Sequence, residues 1–291
     1  MIVFSSDSDF LTIKNILEKN SFKIDLLVSE PPKPSGRGQK LKKNIAHLTA
    51  EQSKIITLTP QELDQLSREK IKRALDSSSD KMGFVFSYGK IITKDIIDLF
   101  EGKLVNLHPS LLPAYRGATP IQSAILNRDP RTGYSLIKLS QRMDAGDIFY
   151  QKSFEITPND NYQTVFEKII DDFEKNGIEV LHDISTDEAT AMTQDEDKAT
   201  YTKKIKKADG QILQNIDSPE SALAKINAFS RWPKAFFILD GTRLIIHQAS
   251  IENDKLVLEK VQREGQKTMP FADFKRGNAR LLTFLPDFVK I

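Results

Sequence analysis

The stretch GFVFSYGKIITKDIIDLFEGKLVNLHPS, residues 83–110, decides the fold class. Gly83–Ser87 is an almost unbroken apolar run, the pattern of a strand covered on both faces. Lys94–Phe100 reads as a helix, with Thr93 as its capping residue and Gly102 as its terminator. Leu104–Leu107 is a second short apolar run. A strand, a helical crossover and a second strand in so short a span form a parallel pair.

The same alternation continues on both sides. Strands are expected at Met1–Ser5, Lys23–Ser29, Lys54–Leu58 and Tyr134–Leu139. Helices are expected at Phe10–Leu17, Gln61–Leu75, Ile121–Asn127 and, as one long element, Thr164–Leu181. The fold class is therefore α/β, a Rossmann-like open sheet with mostly parallel strands. Ligands of such sheets bind beyond the carboxyl ends of the strands, which directs attention to the loop after Leu107. The tail changes character. Phe236–Leu239, Leu244–Ala249, Lys255–Val261 and Leu281–Phe284 read as short strands, Pro219–Ala228 as a helix, and Asp240-Gly241 and Asn253-Asp254 as turns. A small OB-like β-barrel is the expectation.

The 291 residues hold 42 Lys+Arg against 40 Asp+Glu and no cysteine. Disulfides, cysteine-ligated metals and thiol nucleophiles are excluded. No apolar run approaches the roughly 20 residues that cross a bilayer, and no secretory signal is legible, so a cytoplasmic protein is expected. The charge is unevenly placed. Residues 200–291 carry a net +6, the preceding residues a net −4, and residues 31–43 carry five basic side chains and no acid. Local basic regions on a near-neutral chain suit a phosphate backbone, although a solvated surface would look the same. The acidic, Thr-rich stretch before the tail reads as a linker. The expected organisation is a catalytic region 1–183 with an inserted basic loop 31–43, a linker 184–203 and a tail domain 204–291.

Of the four histidines, His47, His182 and His247 read as structural. His108 stands at the end of a buried strand, and strand alternation puts Asn106 on the same side. Asp144, in Met143-Asp144-Ala145-Gly146-Asp147, follows another strand and could approach them. An amide and an imidazolium stabilise a developing oxyanion, and a carboxylate accepts a proton. The alternative is that Asn106 and His108 only tie down the strand end. No Gly-x-Ser-x-Gly elbow exists, so direct transfer to an external nucleophile is favoured over a covalent intermediate. No Gly-x-Gly-x-x-Gly or P-loop is present, and the histidines lack metal-ligand spacing, so no metal is expected.

The run VNLHPSLLPAYRGATPIQSAILNRDPRTGYSLIKLSQRMDAGDIFYQ (105–151) closely resembles the signature of the formyltetrahydrofolate-dependent formyltransferases. Asn106, His108 and Asp144 match that family's catalytic residues in type, order and spacing. SEPPKPSGRGQKLKK (29–43), DKATYTKKI (197–205) and NAFSRWPKAFF (227–237) are similar to segments of the branch that acts on tRNA. The resemblance implies the formyltransferase fold, with 10-formyltetrahydrofolate as donor and the α-amine of initiator methionyl-tRNA as acceptor, for translation initiation. It implies folate contacts from Tyr88, Gly89 and Ile91, from Ser110, Leu111, Leu112 and Pro113 with a cis Leu112–Pro113 bond, and from Gln141, Arg142 and Met143. It implies tRNA contacts from Arg37, Lys40, Lys42 and Lys43 on the loop and from Lys203, Lys204, Lys206 and Lys207 in the tail. A monomer is expected. The chain departs from the family pattern in its first loop, Phe4–Phe10, at Thr93 where proline is common, and in a short tail. The rival readings are a formyltransferase for a nucleotide-linked amino sugar or other small amine, a formyltetrahydrofolate hydrolase, and a non-catalytic tRNA-binding protein.

Overall fold

The computed structural model describes residues 1–35 and 39–291. In chain order the strands are β1 (Ile2–Phe4), β2 (Leu26–Val28), β3 (Lys33–Ser35), β4 (Lys40–Lys42), β5 (Thr57–Leu58), β6 (Gly83–Val85), β7 (Leu104–His108), β8 (Arg131–Lys138) and β9 (Ile148–Glu155). Seven of them form one sheet in the order β5-β2-β1-β6-β7-β8-β9, while β3 and β4 form a separate hairpin. The pairs β2–β5, β1–β2, β1–β6 and β6–β7 are parallel and β7–β8 is antiparallel. The sheet is thus mixed and mostly parallel, as the alternation predicted. β7 is buried along its whole length, which explains its lack of apolar–polar alternation.

Several expected elements differ in detail. The crossover helix from β6 to β7 is one α-turn, Lys94–Ile97, followed by a 3-10 turn, Asp98–Phe100. Thr93 occupies the cap position, yet its hydroxyl makes no capping hydrogen bond and is buried without a partner among the described residues. Gly102 ends the helix with φ +94°, a value that glycine adopts without strain. The expected long helix over 164–181 is interrupted: Tyr162–Asp172 is α-helical, Phe173–Gly177 is a π-turn, and Ile178–Ser185 is α-helical again. Packing accounts for the widened turn. Phe173 stacks on Phe84 with ring centroids 5.4 Å apart, Tyr134 donates to Asp172 at 3.0 Å, and a Cβ on Gly177 would stand 2.5 Å from Phe173.

Two compact units divide the chain, and neither is continuous in sequence. The first comprises residues 1–116, 134–152 and 171–199, and the second 117–133, 153–170 and 200–291. This partition differs from the sequential blocks read from charge. In the second unit, β10 (Ala235–Leu239), β11 (Thr242–Glu252), β12 (Lys255–Arg263) and β13 (Met269–Pro270) form an antiparallel sheet, and β14 (Val289–Lys290) joins β12 in parallel. Its apolar face gathers Leu244, Leu256, Val261 and Phe274 beneath the helix Pro219–Ala228. The expected strand Leu281–Phe284 is not one. Ala279–Leu282 is a helical turn, begun by bonds from the amides of Leu281 and Leu282 to the Asn278 carbonyl, and it lays both leucines against the core. A short apolar run carries no periodicity to separate the two outcomes.

Gly83 shows how closely β6 and β7 are packed. A Cβ there would lie 2.5 Å from Leu104 and 2.6 Å from Phe100, both in the core. Gly83→Ala is expected to destabilise the chain by about 1–3 kcal/mol through overpacking, read as a lower urea midpoint with an unchanged slope.

Candidate functional site

Asn106 and His108 lie two residues apart on β7 and are both buried. Asp144 reaches them from the loop after β8. Its Oδ1 accepts from Asn106 Nδ2 at 3.5 Å, and its Oδ2 stands 3.5 Å from His108 Nδ1. The other ring nitrogen of His108, Nε2, lies 2.9 Å from the Tyr115 carbonyl. A carbonyl only accepts, so Nε2 carries a hydrogen, and Nδ1 is the nitrogen turned to Asp144. The distances to Asp144 are at the outer limit of hydrogen bonding, as is common before a substrate tightens a catalytic site.

The backbone is bent to build this arrangement. Asp144 has φ +49° and Tyr115 φ +61°, both in the left-handed region that side chains other than glycine occupy rarely. Such residues persist only where their surroundings fix them, and they cluster at functional sites. A Cβ on Gly146 would lie 1.7 Å from the Lys138 carbonyl, so only glycine lets the loop close onto the end of β8.

The loop after β7 is fixed by polar bonds. Ser110 Oγ donates to the Ala114 carbonyl at 2.6 Å, and Ser135 Oγ donates to the Ser110 carbonyl at 2.7 Å. The Leu112 amide donates to Ser135 Oγ at 3.2 Å, and Gln151 Nε2 donates to the Leu112 carbonyl at 2.9 Å. The Leu112–Pro113 bond is cis, as the resemblance implied, and so is Trp232–Pro233. Ser135 and Gln151 had no signal of their own in the sequence.

A second buried group was also missed. Arg116, fully buried, donates from Nε and Nη2 to Gln194 Oε1 at 3.2 and 2.8 Å. It also pairs with both carboxylate oxygens of Glu196, at 3.1 and 2.9 Å. Gln194 Nε2 donates to the carbonyls of Asp144 and Gly146 at 2.8 and 2.7 Å. Arg142 donates to Glu196 at 2.6 Å. Gln194 and Glu196 fall in the stretch read as a linker, which carries this order without an apolar period.

The other expected residues are placed as follows. Tyr88, Gly89 and Ile91 follow β6, and Ser110, Leu111, Leu112 and Pro113 follow β7. Parallel pairing brings the two loops out at the same edge of the sheet. Tyr88 is half-buried against Phe4, and burial, then the charge of Glu30, pushes its hydroxyl up to about 12. Gly89 is covered by Glu30, whose Oε1 would be 2.9 Å from a Cβ there, while Ile91 is exposed. Gln141, Arg142 and Met143 are exposed on the Asp144 loop. Lys40 and Lys42 project from the exposed strand β4, and Lys43 pairs with Glu51. Arg37 lies outside the described residues. Lys203, Lys204, Lys206 and Lys207 are exposed in the second unit. Of the remaining histidines, His182 stacks on Phe22, His47 lies 3.5 Å from Glu51, and His247 bonds Gln262. An open cleft of about 710 Å³, lined by Phe22, Lys23, Asp25 and Lys54 among others, contains none of the catalytic candidates. Among the described residues no acidic or histidine cluster has the geometry of a metal site, and no helix is long and apolar enough to cross a membrane.

Residues 1–181 match the model of the formyl transferase family. The chain is 36% identical over 252 residues to the methionyl-tRNA formyltransferase of Buchnera aphidicola subsp. Schizaphis graminum, covering 86% of this chain and 79% of that one. It is 32% identical to the enzyme of the same name from Borrelia duttonii, covering 97% and 98%. The solved methionyl-tRNA formyltransferase of Clostridium thermocellum has the same fold, with a TM-score of 0.62 at 20% identity over 90% of this chain and 96% of that one.

Glu196 offers a pH test of the buried group. The guanidinium of Arg116, then that of Arg142, holds its carboxyl down from the ordinary 4.5 to about 2. A depressed carboxyl stabilises the fold above its unfolded value, and the contribution is lost as pH falls through the folded value. Between about pH 4.5 and 2, Glu196→Gln is therefore expected to lose less stability than the parent, measured by thermal unfolding across that window.

Proposed function

Because the chain belongs to the formyl transferase family, we propose that it moves the formyl group of 10-formyltetrahydrofolate to the α-amine of methionyl initiator tRNA, for translation initiation. Relatives of that name at 32–36% identity over most of the chain support the reading. The observation that carries it is the approach of one carboxylate to within 3.5 Å of both Asn106 and His108.

The chemistry follows from those three side chains. An α-amine has a reference pKa of about 7.7–8.0, so a useful fraction is neutral near pH 7. Its lone pair forms a bond to the formyl carbon, and the carbonyl electron pair moves onto oxygen. Asn106 Nδ2–H and His108 Nδ1–H are the donors assigned to that oxyanion when substrate is bound. With Nε2–H already given to the Tyr115 carbonyl, a proton on Nδ1 makes the ring a cation, and Asp144 stands beside it as the counter-charge. Attack leaves a proton to spare on the new ammonium. Asp144 accepts it, and it passes to N10 of the folate as the carbon–N10 bond breaks. The products are formyl-methionyl-tRNA and tetrahydrofolate. The loops at 88–91, 110–113 and 141–143 are the proposed folate contacts.

The acceptor tRNA is assigned to basic surface. Lys40, Lys42, Lys43 and Arg37 of the inserted loop 31–43 would meet its acceptor end. Lys203, Lys204, Lys206 and Lys207 would meet backbone phosphate, which fixes position without reading sequence. In this reading residues 1–183 are the catalytic region, 184–203 the connection and 204–291 an OB-like tRNA-binding domain. The protein acts as a cytoplasmic monomer. An amino-sugar formyltransferase would use the same three catalytic residues but has no need of a basic hairpin and a basic tail.

Two outcomes are expected. His108→Ala or Asp144→Ala lowers single-turnover transfer by about 10²–10³ or more while tRNA affinity stays near that of the parent. Equal losses of rate and affinity would show a structural role instead. Replacing Lys203, Lys204, Lys206 and Lys207 by Gln reduces the slope of log affinity against log salt by up to about 3, measured by filter binding with initiator tRNA.

A further inference from the structure

Two adjacent residues, Tyr115 and Arg116, hold both halves of the catalytic pair. The Tyr115 carbonyl anchors His108 through Nε2 at 2.9 Å. The Arg116 side chain grips the Gln194 oxygen, and the Gln194 nitrogen grips the backbone at Asp144 and Gly146. The amide has one orientation that satisfies these neighbours, because a guanidinium only donates and a carbonyl only accepts.

We propose that Arg116 and Gln194 are positioning residues, which set the height of Asp144 against His108 for the transfer. The inference deepens the formyl-transfer reading and rests on it. Three observations carry it. The bonds from Gln194 fall on the carbonyls of residues 144 and 146, so they fix the peptide planes around the one residue of that loop whose left-handed φ, +49°, has to be held. The loop has little apolar anchorage of its own, since Met143 is 65% exposed and Gln141 and Arg142 are exposed as well. Arg116 is buried with its charge, an arrangement that needs a well-placed partner, and Glu196 supplies one with both oxygens. A fold seeking only stability would fill such a place with apolar side chains. This one keeps a guanidinium that holds Gln194, whose amide nitrogen in turn holds the Asp144 carbonyl.

Gln194→Glu isolates the donor role. The glutamate has the same shape and still accepts from Arg116, but it presents no N–H to the carbonyls of Asp144 and Gly146. Gln194→Leu removes both contacts. Each variant is compared with the parent in kcat, in KM for 10-formyltetrahydrofolate and for charged initiator tRNA, and in the ring nitrogen resonances of His108. A displacement of about 1 Å at a reacting group costs up to ~10²-fold in rate. The expected result is a fall of about 10–100-fold in kcat with each KM within about threefold, and a moved His108 Nδ1 resonance in both variants. Parent-like kcat together with an unmoved resonance overturns the proposal, as does a rise in KM alone. Should the parent fail to formylate the tRNA, the functional reading falls, and the His108 resonance in Gln194→Glu still decides the positioning claim by itself.

Discussion

In the proposed mechanism the Asp144 carboxylate has to stand beside Asn106 and His108, and the structure brings it within 3.5 Å of both. Asn106 and His108 come ready aligned, because β7 is an extended strand with a two-residue repeat. Asp144 does not. Its loop must bend through the left-handed region, close onto β8 at a position only glycine can occupy, and be held from the far side by Gln194. The buried charge of Arg116, its ion pair with Glu196 and the order around 194–196 converge on the amide of Gln194 that holds this loop.

The same constraint explains what kind of chemistry the site supports. Acyl transfer needs donors aimed at a developing oxyanion and a base near the attacking amine. In the proposed mechanism Asn106 and His108 fill the first role and Asp144 the second. The Tyr115 carbonyl takes the Nε2 hydrogen of His108, which leaves Nδ1 on the side of Asp144. The basic side chains proposed for a polyanionic acceptor, on β4 in the first unit and at 203–207 in the second, include none of the three proposed for catalysis. In the proposed function, catalysis and tRNA affinity rest on different residues and are separable by mutation.

What could be read beforehand follows the range of the interactions. β6, the helix after it and β7 were legible because their signals are local: continuous apolar runs, then a helical pattern, then glycine. Strand alternation put Asn106 and His108 on one side but left a purely structural role open, and the three residues were assigned together through the longer resemblance over 105–151. The Arg116–Gln194–Glu196 group was invisible because its partners lie 78 and 80 residues apart and polar pairs leave no periodicity. The β3–β4 hairpin looked like a plain basic loop, since both strands are exposed and carry no alternation. β9 was passed over because its residues mix apolar and charged types at half-buried positions. The π-turn at 173–177 depends on Tyr134 and Phe84, residues far away in the chain, so a helix pattern could not announce it.

The most direct measurement is a crystal structure of the chain bound to a folate that carries a stable carbonyl group on N10. The account expects the carbonyl oxygen about 2.7–3.1 Å from Asn106 Nδ2 and His108 Nδ1, with the Asp144 carboxylate on the side from which an amine would arrive. A carbonyl seated away from β7, with Asp144 turned to solvent, would contradict it.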